Sequence, residues 1–422
     1  MGALGSLRIT GAVDGTGAPV EVLAQGGRIV ATGSGELPAL PVPPVSPSAR
    51  PVPVLTADGT IAVPGLIDLQ VNGADGWDLT DAPERLWDVA AALGRFGVTA
   101  FAPTVITSAP AARAAALAVL RAGAPDGWRG AVPLGIHFEG PMIAPGRKGA
   151  HPQRWLAAPS ADLVAGWSRA DGVLMVTIAP ELPGALAVIA TLVARGVIVS
   201  VGHTQATAAQ VAAAVAAGAR LVTHLGNAMP PMTAREPGPV GAALGGDVLV
   251  AGVIADGVHH DPLSLRTAWR ALGPGRFLTV TDTTAALGRP DGPARLGEQD
   301  VIVADGAVRL ADGTLAGSAA SLSQCLRTLR DQVGASLADA VASCTAVPAR
   351  VLRDPSRGTL NPGARADVTL LDPQTLDPVA TIVAGRVVYD ARRGLCGSHE
   401  GHESFDSHDS HDSHDSHRQG GH

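Results

Sequence analysis

The sequence predicts a (β/α)8 TIM barrel carrying a small β-sandwich domain built from both ends of the chain. Three observations lead there. Eight apolar runs recur through the middle of the chain, each followed by a helical or loop stretch. Short strand-like segments with glycine turns occur near the two termini. The polar residues best suited to chemistry cluster at or just beyond the ends of the apolar runs, where active sites of this fold are found.

The N-terminal strands are seen in Leu7-Arg8-Ile9-Thr10, Val20-Glu21-Val22-Leu23 and Arg28-Ile29-Val30-Ala31, separated by glycine turns. Residues 36–54 are proline-rich and read as an extended surface insertion. The apolar runs then fall at 61–71, 98–105, 132–138, 173–178, 197–201, 220–225, 248–255 and 276–280. Helix-patterned segments such as 109–122 and 208–217 separate them at parallel-sheet spacing. Strands return at Ala366-Asp367-Val368-Thr369-Leu370-Leu371 and over 381–389. Neither terminal piece can build a core alone, so the two are expected to combine. The predicted division is 1–60 and 356–397 for the small domain, 61–355 for the barrel and 398–422 for a tail. That tail holds four consecutive Asp-Ser-His triplets and is expected to be disordered. It could serve as a metal reservoir, although a solvated tail without function is the simpler reading.

Composition narrows the function. With 46% hydrophobic and 16% charged residues, the chain suits a well-buried α/β core rather than disorder. Its net charge is −7, of which the tail from His399 carries −5 (six acidic residues against one Arg), so the body is nearly neutral. No basic stretch suggests nucleic acid, and an anionic substrate would have to meet a few local cations. Cys325, Cys344 and Cys396 form no CxxC pair, which argues against a thiolate metal site or a disulfide framework. The first residues lack a signal-peptide layout and no long apolar run is free of breaks. No membrane partner is expected, and a soluble cytoplasmic protein is.

Seven of the 13 histidines lie in the tail. Of the six in the body, His203 ends the fifth predicted strand, His224 lies in the sixth, His259 follows the seventh and His151 sits in the loop after the third. Glu139 ends the third strand and Asp282 the eighth. Glu139, His203 and His224 make a plausible metal site, because one carboxylate and two imidazoles leave a coordination position open for water. The metal would acidify that water and polarise the bond under attack. Asp282 is then placed to take the water's proton and return it to a leaving group. His137 shares the side-chain direction of Glu139 but is left out of the ligand set, as either a supporting or a core residue. His260 is not assigned. At the end of the first strand stands Gln70-Val71-Asn72, an amide pair that binds transition metals poorly, so a single metal is expected.

Across residues 5–390 the chain resembles the N-acetylglucosamine-6-phosphate deacetylase family. The resemblance rests on PGLIDLQVNG in the first strand, HFEGP at 137–141, KGAHP at 148–152, GHTQAT at 202–207 and THLGNAMP at 223–230. REPG at 235–238, ADGVHHD at 255–261, VTDTTA at 280–285 and TLAGSA at 314–319 complete it. The Gln-x-Asn pair resembles the branch of that family that works with one metal instead of carrying His-x-His. The resemblance implies one divalent metal held by Glu139, His203 and His224, with Zn2+ the first candidate and Fe2+, Mn2+ or Co2+ the alternatives. It implies Asp282 as general base and acid, and His151 as the group polarising the acetyl carbonyl. The backbone around Asn227 and Ala228, with Arg235 and His259, would hold a sugar 6-phosphate, and Leu315, Ala316 and Gly317 would line the pocket. It also implies a homodimer with part of the phosphate site crossing the interface. Two departures lie at the pocket: Gly226 replaces an aromatic, and Thr283-Thr284-Ala285-Ala286 replaces Ala-Thr-Ala-Pro.

Three other readings remain open at this level. One is hydrolysis of another N-acetylated amino sugar, with or without phosphate. A cyclic-amide hydrolase on the same scaffold would require His-x-His and a bridging Lys, and neither is found. A non-catalytic metal-binding scaffold would explain the histidine tail but not the intact ligand set.

Overall fold

A computed structural model describes residues 5–34, 37 and 52–396. Most of the proline-rich stretch and the whole predicted tail therefore lie outside the described residues. The barrel strands are Leu66–Val71, Val98–Ile106, Ile136–Glu139, Val173–Ile178, Ile198–Val201, Leu221–Val222, Val250–Ile254 and Phe277–Val280. They pair in parallel and in chain order from first to eighth. The ring closes beyond the paired registers. Asp282 N–H donates to Gln70 C=O at 3.0 Å and Asn72 N–H to Thr283 C=O at 2.7 Å. Asp68 reinforces this seam from inside, accepting from Thr281 Oγ1 at 2.6 Å.

The residues explain the elements. Every position of Val98–Ile106 is buried, as a strand covered on both faces requires. The helix Ala208–Ala216 starts at a capping box: Thr207 Oγ1 accepts from Gln210 N–H, and the Gln210 side chain accepts from Thr207 N–H. Such a cap contributes about 1 kcal/mol. Val211 and Ala214 turn inward from that helix, as the periodicity of the segment demands.

The run at 61–71 is not one strand. Ile61–Pro64 pairs antiparallel with Val368–Leu371 in the terminal sheet, and only Leu66–Val71 joins the barrel. Gly65 makes the crossover possible, since a Cβ there would come within 2.2 Å of Thr99 Oγ1. The expected β-sandwich is one continuous nine-stranded sheet drawn from both chain ends. It curls over its own core of Leu7, Ile9, Val22, Ile29, Leu370 and Ile382. Arg28 bridges to Arg365 where the sheet folds back.

An element the sequence reading did not identify follows the eighth strand. Four antiparallel strands, Gly292–Leu296, Gln299–Ala304, Ala307–Arg309 and Leu315–Ser318, form a separate sheet. Val301, Val303, Val308 and Ala316 pack it against Ile106, at the end of the second barrel strand, and against Ala150 and Ala286 in loops beyond the third and eighth. Its signal was present in the sequence: Asp305 and Gly306 both have positive φ, the two-residue hairpin turn that Asp-Gly favours. No helix among the described residues is long and apolar enough to cross a membrane.

Candidate metal centre and substrate pocket

A cavity of about 300 Å³ opens at the C-terminal ends of the barrel strands. Glu139, His151, His203, His224, Asn227, Ala228, His259, Asp282, Leu315, Ala316 and Gly317 all line it. Eleven of the twelve residues assigned from the sequence thus converge. Arg235 does not: it is exposed and outside the cavity of its own chain.

Strand ends deliver these groups at a conformational cost. His203, His224 and Asp282 each lie two residues beyond a strand and have φ of 48°, 29° and 52°. His224 is therefore just past the sixth strand rather than within it. Left-handed backbone at a non-glycine residue costs on the order of 1 kcal/mol and persists only where neighbours enforce it. Here it turns the side chain out of the sheet and towards the mouth. The strand Leu315–Ser318 braces the last of these turns, with Ser318 N–H on Asp282 C=O at 2.9 Å. Gly317 is required for that approach, since a Cβ would lie 2.6 Å from Thr284 Cγ2 and 2.8 Å from Asp282 C=O.

Three donor atoms meet at the centre. His224 Nε2 lies 3.0 Å from Glu139 Oε1 and 3.0 Å from His203 Nε2, and His203 Nε2 lies 3.3 Å from the same carboxylate oxygen. His151 is also close, with Nε2 3.8 Å from Glu139 Oε2. Proximity alone would admit His151 as a ligand, because one donor atom each from Glu139, His151 and His203 falls within 4.8 Å. The hydrogen bonds separate the two roles. His203 Nδ1 faces the Arg147 carbonyl at 2.8 Å, which can only accept, so Nδ1 carries the proton and Nε2 has the lone pair a metal needs. His151 is the reverse. Its Nδ1 faces the Thr107 backbone N–H at 3.3 Å, which can only donate, and Thr107 Oγ1 at 2.9 Å; accepting from the backbone N–H leaves the proton on Nε2. Burial holds that imidazole neutral, well below its usual pKa, with the neighbouring His203 adding to the effect. His151 is thus a hydrogen-bond donor into the cavity, whereas Glu139, His203 and His224 fit a divalent cation.

Gln70 and Asn72 have a function the sequence reading did not give them. Gln70 Nε2 donates to both Glu139 Oε1 at 3.1 Å and Asp282 Oδ1 at 3.0 Å. Asn72 Nδ2 donates to Asp282 Oδ1 at 2.7 Å. The amide pair therefore holds the carboxylate of the metal site and the candidate base in register. The clue was the residue pair itself, two amides at the end of a strand that meets the eighth. Asp282 is pushed up to about 6, first by burial and then by the negative charge of Glu139.

Farther out, His259 Nδ1 is 2.7 Å from Asp256 Oδ2, which fixes the ring and leaves Nε2 as its free nitrogen. The Asn227 backbone N–H is not free for a ligand, since it bonds the His224 carbonyl at 2.9 Å. Asn227 Nδ2, buried without a partner, is the available donor instead. His137, left out of the ligand set, bonds Thr104 Oγ1 at 3.2 Å and Thr177 Oγ1 at 2.8 Å below the mouth. Burial depresses it to about 4, a neutral core histidine.

Comparison with known proteins decides the family. The model of the Amidohydrolase family matches residues 61–391. N-acetylglucosamine-6-phosphate deacetylase of Rattus norvegicus is 39% identical over 351 residues, covering 79% of this chain and 84% of that one. The enzyme of that name from Bacillus subtilis is 34% identical over 337 residues, covering 78% and 85%. The chain belongs to the N-acetylglucosamine-6-phosphate deacetylase family. Among solved structures, the Pasteurella multocida deacetylase superposes with a TM-score of 0.80 at 28% identity, over 90% of this chain and 99% of that one. A mutant of the Mycobacterium smegmatis deacetylase in complex with N-acetyl-D-glucosamine-6-phosphate gives 0.79 at 35% identity, over 92% and 100%. Membership of this family excludes the cyclic-amide and scaffold readings as the leading description of the deacetylase site.

Proposed function

We propose that this chain hydrolyses the acetamide of N-acetylglucosamine 6-phosphate to acetate and glucosamine 6-phosphate. The observation that carries this reading is the opposed wiring of two adjacent histidines. His203 offers a lone pair beside Glu139 and His224, while His151 offers an N–H across the same cavity. That combination suits an amide carbonyl, which needs both an electrophilic centre and a hydrogen-bond donor for its developing oxyanion.

Glu139, His203 and His224 would hold one divalent cation, Zn2+ in our assignment, which when bound would supply Lewis acidity to water and to the acetyl oxygen. Asp282 takes the proton of the attacking water and returns it to the departing amine. Gln70 and Asn72 aim its carboxylate while it does so. Their amides also occupy the strand-end positions from which a second metal would be ligated, which supports a single-metal site. His151 Nε2–H donates to the acetyl oxygen as negative charge develops there. Asn227 Nδ2, the Ala228 N–H and His259 bind the phosphorylated end of the sugar, with Leu315, Ala316 and Gly317 as the wall. Arg235, exposed three residues after the 57% exposed Met232, acts across a homodimer interface on the neighbouring subunit's substrate.

The test is acetate release from N-acetylglucosamine 6-phosphate, from the unphosphorylated sugar and from other N-acetylated amino-sugar phosphates, before and after chelation. Chelator-sensitive release that favours the phosphorylated glucosamine derivative is expected. Equal rates on all substrates would remove the phosphate assignment, and no release from a metal-loaded chain would remove the reaction.

A further inference from the structure

We infer that Arg147 is the cation that receives the substrate's phosphate within the subunit. This inference rests on the deacetylase reading above and adds a specificity-determining residue to it. Apart from its histidines, the cavity is lined by one basic residue among the described ones, and that residue is Arg147. Arg235, the guanidinium expected from the sequence, lies outside. A cation on Glu139, His203 and His224 offsets the Glu139 and Asp282 carboxylates, so a dianionic phosphate gains from a positive charge of its own, which among the described cavity-lining residues of this subunit Arg147 can supply.

Arg147 is half-buried, yet its guanidinium has no protein partner. Its Nε is buried without a hydrogen bond, and no ion pair or side-chain hydrogen bond to it occurs among the described residues. Neighbouring Lys148 differs, since its Nζ bonds the Gly149 carbonyl at 3.2 Å and it does not line the cavity. A buried donor without a partner is unfavourable, and here that donor is Nε, while the terminal nitrogens stay open to solvent or to a ligand. Five donors in a planar fork match phosphate oxygens better than any neutral group in the pocket.

The position of Arg147 adds a second consequence. Its carbonyl fixes the Nδ1 proton of His203 at 2.8 Å, so the segment Pro145–Arg147 touches a metal ligand through its backbone and the cavity through its side chain. Truncating the side chain leaves that carbonyl in place, which allows the two roles to be separated.

The experiment uses the full metal-loaded chain as wild type, Arg147→Ala and Arg147→Lys. Kinetics are read on N-acetylglucosamine 6-phosphate and on the unphosphorylated sugar, and inorganic phosphate binding is read by calorimetry. We expect Arg147→Ala to lower the ratio of kcat/KM, phosphorylated over unphosphorylated, by about ten- to a hundredfold, mostly through KM. Phosphate affinity should fall in parallel, and Arg147→Lys should recover part of both. An unchanged ratio with unchanged phosphate affinity overturns the inference. So does a parallel loss on both sugars accompanied by loss of metal, which would mean that the residue only supports the loop. Should the wild type release no acetate, the deacetylase reading fails, and the phosphate titration still decides whether Arg147 binds the anion.

Discussion

The mouth of the barrel and the layer of side chains just beneath it are built from similar residues and behave oppositely. Beneath the mouth, His137 is enclosed by Thr104 and Thr177, and Thr177 passes the chain on to Thr223 at 2.8 Å and Ser200. Polar groups there find partners within the protein. At the mouth, two imidazole nitrogens and a carboxylate oxygen approach within about 3 Å, with left-handed backbone at His203, His224 and Asp282. Asn227 Nδ2 and Arg147 Nε are buried there without partners. Histidine in a barrel is therefore not a sign of chemistry by itself. What marks the site is polar groups whose hydrogen-bonding needs the fold leaves open, held there against local strain.

Substitutions can break this contrast. The largest effect is expected from Asp282→Asn, which keeps the shape and the Asn72 contact but removes the base. Turnover should fall by about a thousandfold or more, with metal content unchanged when measured by elemental analysis. Loss of metal together with turnover would instead make Asp282 a ligand. In the wild type the same carboxyl sets an acid limb. Its pKa is raised to about 6, and only the ionised form accepts a proton, so kcat/KM should fall as pH drops through that value. A cation held by Glu139 offsets part of the repulsion and moves the limb lower still. A limb above pH 7 would exclude Asp282 as the base.

Gln70→Leu tests the brace between the two carboxylates. It removes both donated hydrogen bonds, and metal affinity or turnover should drop by about ten- to a hundredfold. Equal performance would show that Asn72 alone is sufficient. The smallest effect on chemistry belongs to the layer below. Thr177→Val takes away the partner of His137 Nε2 and should cost about 1–3 kcal/mol of stability. That loss is read as a lower melting temperature, with turnover per bound metal unchanged. A large fall in turnover would mean that the two layers are coupled.

Much of this was legible in the residues because the signals are local. Apolar runs with short helical separators announced the strands, and the rule that barrel chemistry follows strand ends picked out Glu139, His203, His224 and Asp282. The remainder depends on partners distant in sequence. Gln70 could be seen as a poor ligand, but its task as a double donor needs Glu139 and Asp282, 69 and 212 residues away. Likewise, Arg147 reads as one more charged loop residue until the cavity shows that it has no partner. The boundary at Gly65 was missed because Ile61–Pro64 and Leu66–Val71 are equally apolar, and only pairing with Val368–Leu371 assigns the former to the terminal sheet. The four-stranded sheet after the eighth strand was missed although Asp305-Gly306 carried a hairpin signal.

The sequence by itself determined the fold class and the family, and it supplied the candidate groups for binding metal and moving protons. Those properties are written in periodicity and residue type, which a linear reading can follow. Only the tertiary structure decided which nitrogen of each histidine carries the proton, which amides brace the carboxylates and which arginine faces the cavity. Each of these is fixed by a hydrogen-bond partner brought in from another strand or loop, and such partners exist only once the barrel has closed.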